Sequence, residues 1–289
     1  MIPVLIIHEG YKEYLKINLE ITGKNNKIYL IGDKSVEHLG NIKNVTFVNI
    51  DKYNNNLQII QYANNFINYS SNSKSFEFLC FKRVFILKLF MNEYNFDKIF
   101  HIDSDNILLK NINDYVFSKD NAYVCNKNWH KNRMSNSIHT GLLDKKFVLE
   151  FEKLYEDIYI NKSKLHLIKE KINYHTKNNN FVNGGICDMT LYYLLNQEKI
   201  IDVENLLENK VINNKKIVFM NNINNGEGPD SKEQYELINN IIKIQKSSNG
   251  EDNYLYDKIN KQFLVLMNIH FQGGAKSLMN ENLKKFLNY

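Results

Sequence analysis

The chain has 289 residues, 43% hydrophobic and 24% charged, which is enough apolar sequence to bury a substantial core. Its net charge of +5 suits an anionic ligand or a membrane surface, but no dense Lys/Arg stripe interleaved with aromatic residues supports nucleic-acid binding. Three separated cysteines without a CxxC pair indicate neither a disulfide framework nor a zinc site, so we expect buried, unbridged thiols.

The N-terminal sequence MIPVLIIHEGY has no basic leader, and its apolar run is too short for a signal peptide. No apolar run approaches the roughly 20 residues that a membrane-spanning helix needs. We therefore predict a buried first strand and a cytoplasmic protein. The lysine-rich stretch 162–177 and the C-terminal helix could hold it peripherally at the inner face of a membrane.

The first part of the chain alternates predicted strands and helices. Short β-branched runs at 2–7, 27–33 and 45–50 predict strands, and apolar residues at helical spacing predict a helix between the first two. Residues 75–95 predict a long, deeply buried helix, and a strand follows at 98–102. This alternation predicts an α/β fold with a mixed, mostly parallel sheet and helices on both faces.

The later part of the chain predicts a more varied set of elements. In order, they are a strand at 121–126, an amphipathic helix at 145–159, an irregular polar stretch at 166–180, a helix within 181–197, a strand at 215–220, a hairpin within 253–273 and a short C-terminal helix. Because no repeat or long linker divides the chain, we predict a single domain over residues 1–289.

The strand at 98–102 ends in Asp-Ser-Asp. In open α/β sheets, ligands bind at the carboxyl ends of the strands, where Asp103 and Asp105 could both reach one hard cation such as Mg²⁺ or Mn²⁺. The same pattern fits an Asx turn that caps the strand, and Asp-x-Asp alone is common. The motif by itself therefore leaves both interpretations open.

A second motif, IHFQGGAK, favours the metal interpretation. His270 could be a third ligand through an imidazole nitrogen, Gly273 and Gly274 let the backbone pass close to a ligand, and Lys276 offers a point charge to phosphate. A strand-end histidine before a flexible glycine turn is the plainer interpretation of this motif alone. The two motifs together are the parts of a metal–diphosphate site, which we predict.

These segments, in this order, resemble the GT-A glycosyltransferases, and especially the retaining group that contains glycogenin and the bacterial lipooligosaccharide galactosyltransferases. The likeness is carried by the β-α-β opening, the helix segment FKRVF with Arg83, the strand and aspartate pair in IFHIDSDNIL, and the closing HFQGGAK. It spans nearly the whole chain. It implies a GT-A fold with a nucleotide-binding half over 1–110 and an acceptor-binding half over 111–289.

The resemblance implies a metal-dependent transferase that moves a sugar from a nucleotide-sugar, with UDP the expected nucleotide, to a saccharide acceptor of a surface glycan such as capsule, O-antigen or lipooligosaccharide. It implies Mn²⁺ or Mg²⁺ held by Asp103, Asp105 and His270, and Asp188 as the catalytic carboxylate beside the transferred sugar. The residues implied in donor binding are Asp33, Arg83, Asp103, Ser104, Gly273 and Lys276.

Several of these candidates also have a purely structural interpretation. Asp188 could stabilise a helix N-terminus, Arg83 could extend from a buried helix to solvent, and Asp33 could simply end a strand. His8 and Glu9 end the first strand, where the base and ribose should lie, and are weaker candidates. A further one, Trp129, could be a sugar-stacking platform or an ordinary loop anchor.

Three other functions stay open on the sequence. If Asp188 is a base behind the anomeric carbon, the transfer inverts rather than retains configuration. Phosphatases of the haloacid dehalogenase type also use Asp-x-Asp after a strand, although that motif normally ends the first strand of their domain. A non-catalytic carbohydrate- or nucleotide-binding module would need only part of this set of residues.

Overall fold

The computed structural model describes residues 1–127, 130–179, 185–224 and 234–287, so Trp129 lies outside the described residues. The chain forms two compact units, each assembled from separated segments. The first unit comprises Met1–Asn49, Phe100–Ser118 and Asn205–Tyr289, and the second comprises Ile50–Ile99 and Lys119–Glu204. The single domain with two halves, inferred from the sequence, stays a prediction.

The strands, in chain order, are β1 (Val4–His8), β2 (Ile28–Gly32), β3 (Val45–Asn49), β4 (Lys98–Ile102), β5 (Asn106–Leu108), β6 (Asn121–Cys125), β7 (Asn136–Asp144), β8 (Val203–Asn205), β9 (Lys210–Ile212), β10 (Lys215–Val218), β11 (Leu237–Ile238), β12 (Ile241–Ile242), β13 (Gln245–Lys246), β14 (Asn253–Asp257), β15 (Gln262–Leu266) and β16 (Asn268–His270). The α-helices are α1 (Glu13–Thr22), α2 (Asp51–Asn54), α3 (Leu57–Asn65), α4 (Lys74–Glu93), α5 (Lys145–Tyr155), α6 (His166–Asn179), α7 (Asp188–Gln197) and α8 (Glu281–Phe286). No helix in the described part of the chain is both long and apolar enough to cross a lipid bilayer.

The first unit contains parallel strands in the order β3-β2-β1-β4. Helix α1 connects β1 to β2, and a 3₁₀ helix, Lys34–Asn41, connects β2 to β3. All five residues of β2 are buried, as expected for an apolar run inside a parallel sheet. The predicted mixed α/β fold with a mostly parallel sheet is therefore confirmed: these four strands are parallel, and the second unit contains the antiparallel pair β6–β7.

A second sheet of the first unit has the strand order β13-β14-β15-β10-β9. Strands β14 and β15 form the predicted antiparallel hairpin, but its second strand ends at Leu266. Residues 268–270 instead form β16, which pairs antiparallel with β5 directly after the Asp-Ser-Asp turn. Apolar side chains from α1, such as Ile17 and Ile21, join Ile107 and Ile269 in the core beneath this pair.

The second unit packs α4 and α7 against α5 beside the β6–β7 hairpin. Its core is aromatic: Phe85 lies 5.1 Å from Tyr155, and Phe151 lies 5.3 Å from Tyr192, measured between ring centroids. The deep burial predicted for the long helix holds in the second half of α4, which buries every residue from Val84 to Leu87, whereas Phe76 near its start is 54% exposed. The three cysteines are unbridged, as predicted; each residue is half-buried as a whole, and burial raises the pKa of the Cys187 thiol to about 11.

The segment predicted to be irregular, 166–180, is the helix α6 over most of its length. Its buried residues Ile168, Lys171 and His175 recur at helical spacing, but a lysine and a histidine on that face hid the amphipathic pattern. The Lys171 ammonium donates hydrogen bonds to the carbonyl oxygens of Arg133 (2.6 Å) and Met134 (3.3 Å), and to the Thr190 hydroxyl (2.9 Å). A buried cation thus holds this helix in the second unit.

This buried lysine predicts a pH-dependent stability. Burial lowers the pKa of Lys171 to about 8, below the value near 10.4 of an unfolded chain. Between these values the unfolded chain binds more protons, so the cost of burying the charge is full below pH 8 and is relieved as pH rises. We expect the unfolding free energy of the wild type, relative to Lys171→Met, to rise by about 1–2 kcal/mol between pH 7.5 and 9.5 in urea titrations. Parallel curves for the two proteins would contradict this expectation.

Candidate functional site

The carboxylate of Asp105 lies between an imidazole and an ammonium group. Its Oδ1 is 3.5 Å from His270 Nε2, and its Oδ2 is 3.1 Å from Lys276 Nζ. Pairing of β5 with β16 sets His270 opposite Asn106, and the Phe271 N–H donates to the Asp105 carbonyl at 2.8 Å. The strand pairing therefore joins the two sequence motifs, and Asp105 itself is only 6% exposed.

The imidazole ring of His270 is oriented by a hydrogen bond to a backbone carbonyl. Its Nδ1 is 2.5 Å from the carbonyl oxygen of Asn221, to which it donates, so Nε2 is directed at Asp105. Burial lowers the pKa of His270, but hydrogen bonds and charge, chiefly from Asp105, outweigh burial and leave the pKa above its ordinary value. A backbone carbonyl on one ring nitrogen is also how metal-binding histidines are commonly oriented.

The ammonium of Lys276 extends from a 3₁₀ helix, Gly273–Leu278, and its side chain is 39% exposed. Burial lowers its pKa, but the Asp105 carboxylate raises it by more, so the group is a cation at neutral pH. Gly273 has φ +61°, a left-handed conformation that favours glycine, and a Cβ there would meet nothing within 4 Å. The loop therefore needs glycine for its turn, and the space beside it is open.

Asp103 stands at the start of the same turn, where its carbonyl accepts from the Asn106 N–H at 3.0 Å. The half-buried Asp103 also contributes to the raised pKa values of His270 and Lys276. Among the described residues, no three His, Cys, Asp or Glu side chains form a cluster that could by itself hold a metal ion. The predicted three-ligand set is therefore reduced here to the close pair of Asp105 and His270.

This pair fits a hard cation that takes its other ligands from a substrate. Mg²⁺ is commonly held by one or two carboxylates together with phosphate oxygens and water, and an imidazole suits Mn²⁺ as well. The Asp105 carboxylate and the Nε2 atom of His270 supply those two kinds of donor. The residues present therefore fit the predicted metal, with Asp103 as a further carboxylate in the turn.

Ser104, between the two aspartates, is held by the end of β1. Its hydroxyl is 2.9 Å from His8 Nδ1, and burial lowers the pKa of this histidine, which favours the neutral ring. The other ring nitrogen, Nε2, is buried without a hydrogen-bond partner in the described part of the chain. Buried polar atoms normally have partners, so a bound ligand is a reasonable source of one here.

Asp33, at the end of β2, accepts hydrogen bonds that hold the neighbouring loops in place. Its Oδ1 accepts from the Ser35 N–H (3.0 Å) and the Ser35 hydroxyl (2.5 Å), and its Oδ2 accepts from the Gly10 N–H (3.0 Å). The Ser35 hydrogen bond is the main reason that the pKa of Asp33 is lowered. Asp33 thus connects the ends of the first two strands, and its contact with a nucleotide stays a prediction.

Arg83 and Asp188, chosen separately from the sequence, are partners in the second unit. Arg83 Nη2 lies 2.9 Å from Asp188 Oδ2, which also accepts from the Tyr192 hydroxyl at 2.9 Å. Asp188 Oδ1 accepts from the Met189 N–H at 2.9 Å, at the start of α7. The ion pair connects α4 to α7, and the predicted roles of both residues at a donor sugar stay predictions.

No protein-family model matches the chain, and no curated protein matches it. Solved structures similar to it include mouse xyloside xylosyltransferase 1 in its apo form (10% identity, TM-score 0.47, 71% of this chain and 84% of that one). Others are the PaToxG glycosyltransferase (12%, 0.38, 68% and 68%) and the bifunctional glycosyltransferase WbbM (13%, 0.40, 71% and 38%). All three are named as glycosyl- or xylosyltransferases, and the function proposed below rests on this chain's own residues.

Proposed function

We propose that this chain is a glycosyltransferase that uses a divalent cation to move a sugar from a nucleotide-sugar, with UDP as the nucleotide, to a saccharide acceptor. One observation carries the proposal. A buried carboxylate, Asp105, lies within 3.5 Å of the His270 imidazole and 3.1 Å of the Lys276 ammonium, at the end of a parallel strand. These are groups that bind a cation and a diphosphate, and parallel strands offer their carboxyl ends to ligands.

The residues support departure of a nucleoside diphosphate. Lys276 has three donors on a flexible stem, so it can donate to a phosphate oxygen while remaining near Asp105. Negative charge grows on the leaving diphosphate as the glycosidic bond breaks, and a fixed cation there stabilises the transition state. A divalent cation held by Asp103, Asp105 and His270 would supply further charge neutralisation at the same phosphates.

The donor's ribose is proposed to lie near the ends of β1 and β4. His8 Nε2 is buried and has no partner in the described residues, and Ser104 lies beside the same ring. A ribose hydroxyl or phosphate oxygen would satisfy that nitrogen. Charge stabilisation of the transferred sugar by Asp188, and a role in surface-glycan synthesis, are further parts of the proposal.

A nucleotide-sugar panel tests this function. With Mn²⁺ present, we expect one UDP-sugar to raise the melting temperature, because a ligand at 100 times its Kd adds about 2.7 kcal/mol to the folded state. We also expect UDP release on adding a saccharide acceptor, and loss of both effects with EDTA. Uridine with Mn²⁺ is the matched control, since it lacks the diphosphate.

Two further assays on the same protein distinguish this function from a phosphatase and from a binding module. Turnover of a generic phosphate ester without UDP release would indicate a phosphatase. Stabilisation by a nucleotide-sugar without release of UDP, whether a saccharide acceptor or only water is present to take the sugar, would indicate a binding module. An absence of stabilisation by every nucleotide-sugar would contradict the proposal.

A further inference from the structure

Helix α1 carries polar side chains on a face that is buried against residues 104–112. Asn18 is fully buried, and its Nδ2 donates to the carbonyl oxygens of Ser104 (2.9 Å) and Asn106 (3.0 Å). These two carbonyls belong to the residues on either side of Asp105. One amide group of α1 therefore fixes the backbone on both sides of the candidate metal ligand.

The orientation of the Asn18 amide is itself fixed. Its Oδ1 accepts from the Thr22 hydroxyl at 2.7 Å, and that hydroxyl accepts from the Leu108 N–H at 3.0 Å. With its oxygen turned to Thr22, Asn18 directs both N–H groups at the turn. A carboxamide offers two donors and one acceptor oxygen, and all of them are used here.

A second pair of amides continues this connection to the other motif. Asn268 Nδ2 donates to Asn106 Oδ1 (2.7 Å) and to the Met220 carbonyl (3.1 Å), and Asn268 Oδ1 accepts from the Met220 N–H (2.7 Å). The next residue, Asn221, provides the carbonyl that orients His270. Asn106 and Asn268 are both fully buried.

These polar side chains occupy positions in the hydrophobic core, where apolar side chains are usual. Their neighbours are Ile17, Ile21, Ile107 and Ile269, all at most 1% exposed. Burying an amide removes its hydrogen bonds to water, so the bonds that it makes in the core add little net stability, although its loss would leave buried partner groups unsatisfied. What a satisfied buried network adds is a single geometry for the groups that it connects.

We infer that Asn18, supported by Thr22 and by the Asn106–Asn268 pair, is a positioning residue that presets Asp105 and His270 for binding a divalent cation. The inference rests on the function proposed above. Asn18 acts through the carbonyls that flank Asp105. Cation sites built on side chains that are held by a second layer of hydrogen bonds bind more tightly than loosely held ones.

The test compares Asn18, in α1, with Asn26, which follows the end of that helix. Asn26 also joins this part of the chain to the 104–112 segment: its Nδ2 donates to the Lys110 carbonyl (3.1 Å) and its Oδ1 accepts from the Ile112 N–H (2.9 Å). Those contacts lie beyond the turn that carries Asp105. Asn26→Leu is therefore a matched control that removes buried amide bonds without releasing the turn.

The readout is the Kd of Mn²⁺ in the presence of saturating UDP, measured from the paramagnetic resonance signal of unbound Mn²⁺, with the melting temperature of the metal-free protein alongside. We expect Asn18→Leu to raise the Kd by about 10- to 100-fold, as loss of such supporting contacts does. Asn26→Leu should lower the melting temperature by about as much as Asn18→Leu does, but it should change the Kd of Mn²⁺ by less than about twofold. Equal effects of the two variants on the Kd, or no effect of Asn18→Leu, would overturn the inference.

A milder pair covers the case in which Asn18→Leu does not fold. Thr22→Val removes the hydroxyl that orients Asn18, whereas Thr22→Ser keeps it. We expect the Kd of Mn²⁺ to be raised in Thr22→Val and to stay near the wild-type value in Thr22→Ser. Equal Kd values in the two variants would contradict the positioning role of Asn18. If the wild type binds no Mn²⁺ with UDP, the proposed function fails and takes the inference with it. If the wild type binds Mn²⁺ with UDP and the variants bind it equally well, only the inference about Asn18 fails and the proposed function stands.

Discussion

Asp105→Asn is expected to lower kcat/KM for sugar transfer by about 100- to 1000-fold while leaving a folded protein. Asparagine keeps the shape of the side chain but removes the negative charge that faces His270 Nε2 and Lys276 Nζ. An uncharged amide is a poor ligand for a hard cation, and the substitution also removes the carboxylate that pairs with Lys276. Initial rates over a Mn²⁺ titration measure the effect.

Asp114→Asn is the control for this variant. Asp114 lies on the surface of the same unit, in the 3₁₀ helix Ile112–Asp114, so the same chemical change there should leave the rate unchanged. Higher Mn²⁺ should recover part of the activity of Asp105→Asn if the loss is one of cation affinity. Full activity in Asp105→Asn at low Mn²⁺ would remove the carboxylate from the mechanism.

Local sequence patterns predicted the elements that long apolar runs define. The strands β1 to β4 and the buried helix α4 have such runs, and a β-branched stretch followed by turn residues needs no distant partner to be recognised. The pairing of β5 with β16 was not predicted, because each has three residues and they lie far apart in the chain. Short strands carry little pattern, so only the folded chain shows which of them pair.

The candidate site was predictable in its residue types and incompletely in its geometry. Asp105, His270 and Lys276 are brought together as the two motifs suggested. The sequence did not indicate that Arg83 pairs with Asp188, because ion pairs between distant helices leave no local signature.

Asn18 was missed for a different reason. From sequence alone, a polar residue within a predicted helix is expected to face solvent, because its hydrogen-bond partners are not known. The one available signal was the spacing of Asn18, Thr22 and Asn26 by four residues, and the structure buries all three. Such a polar stripe beside an apolar one is a useful pointer to buried hydrogen-bond networks.

The second large effect is expected in the other unit, where Arg83→Met should lower the unfolding free energy by about 3 kcal/mol. The Arg83 side chain is 20% exposed and that of Asp188 only 5%, so removal of the guanidinium leaves a carboxylate in a nearly dry setting. The Tyr192 hydroxyl and the Met189 N–H still donate to it, but neither carries charge. Urea unfolding of both proteins measures the difference.

Lys74→Met, on the same helix, is the control: Lys74 is an exposed residue at the start of α4, so its substitution should cost under about 1 kcal/mol. Adding Asp188→Asn to Arg83→Met removes the stranded charge, and the double variant should recover part of the lost stability. Asp188→Asn alone then separates structure from chemistry. If its rate of sugar transfer falls by a large factor at a temperature where it is fully folded, the carboxylate acts in the reaction, whereas an unchanged rate would leave Asp188 as the structural partner of Arg83.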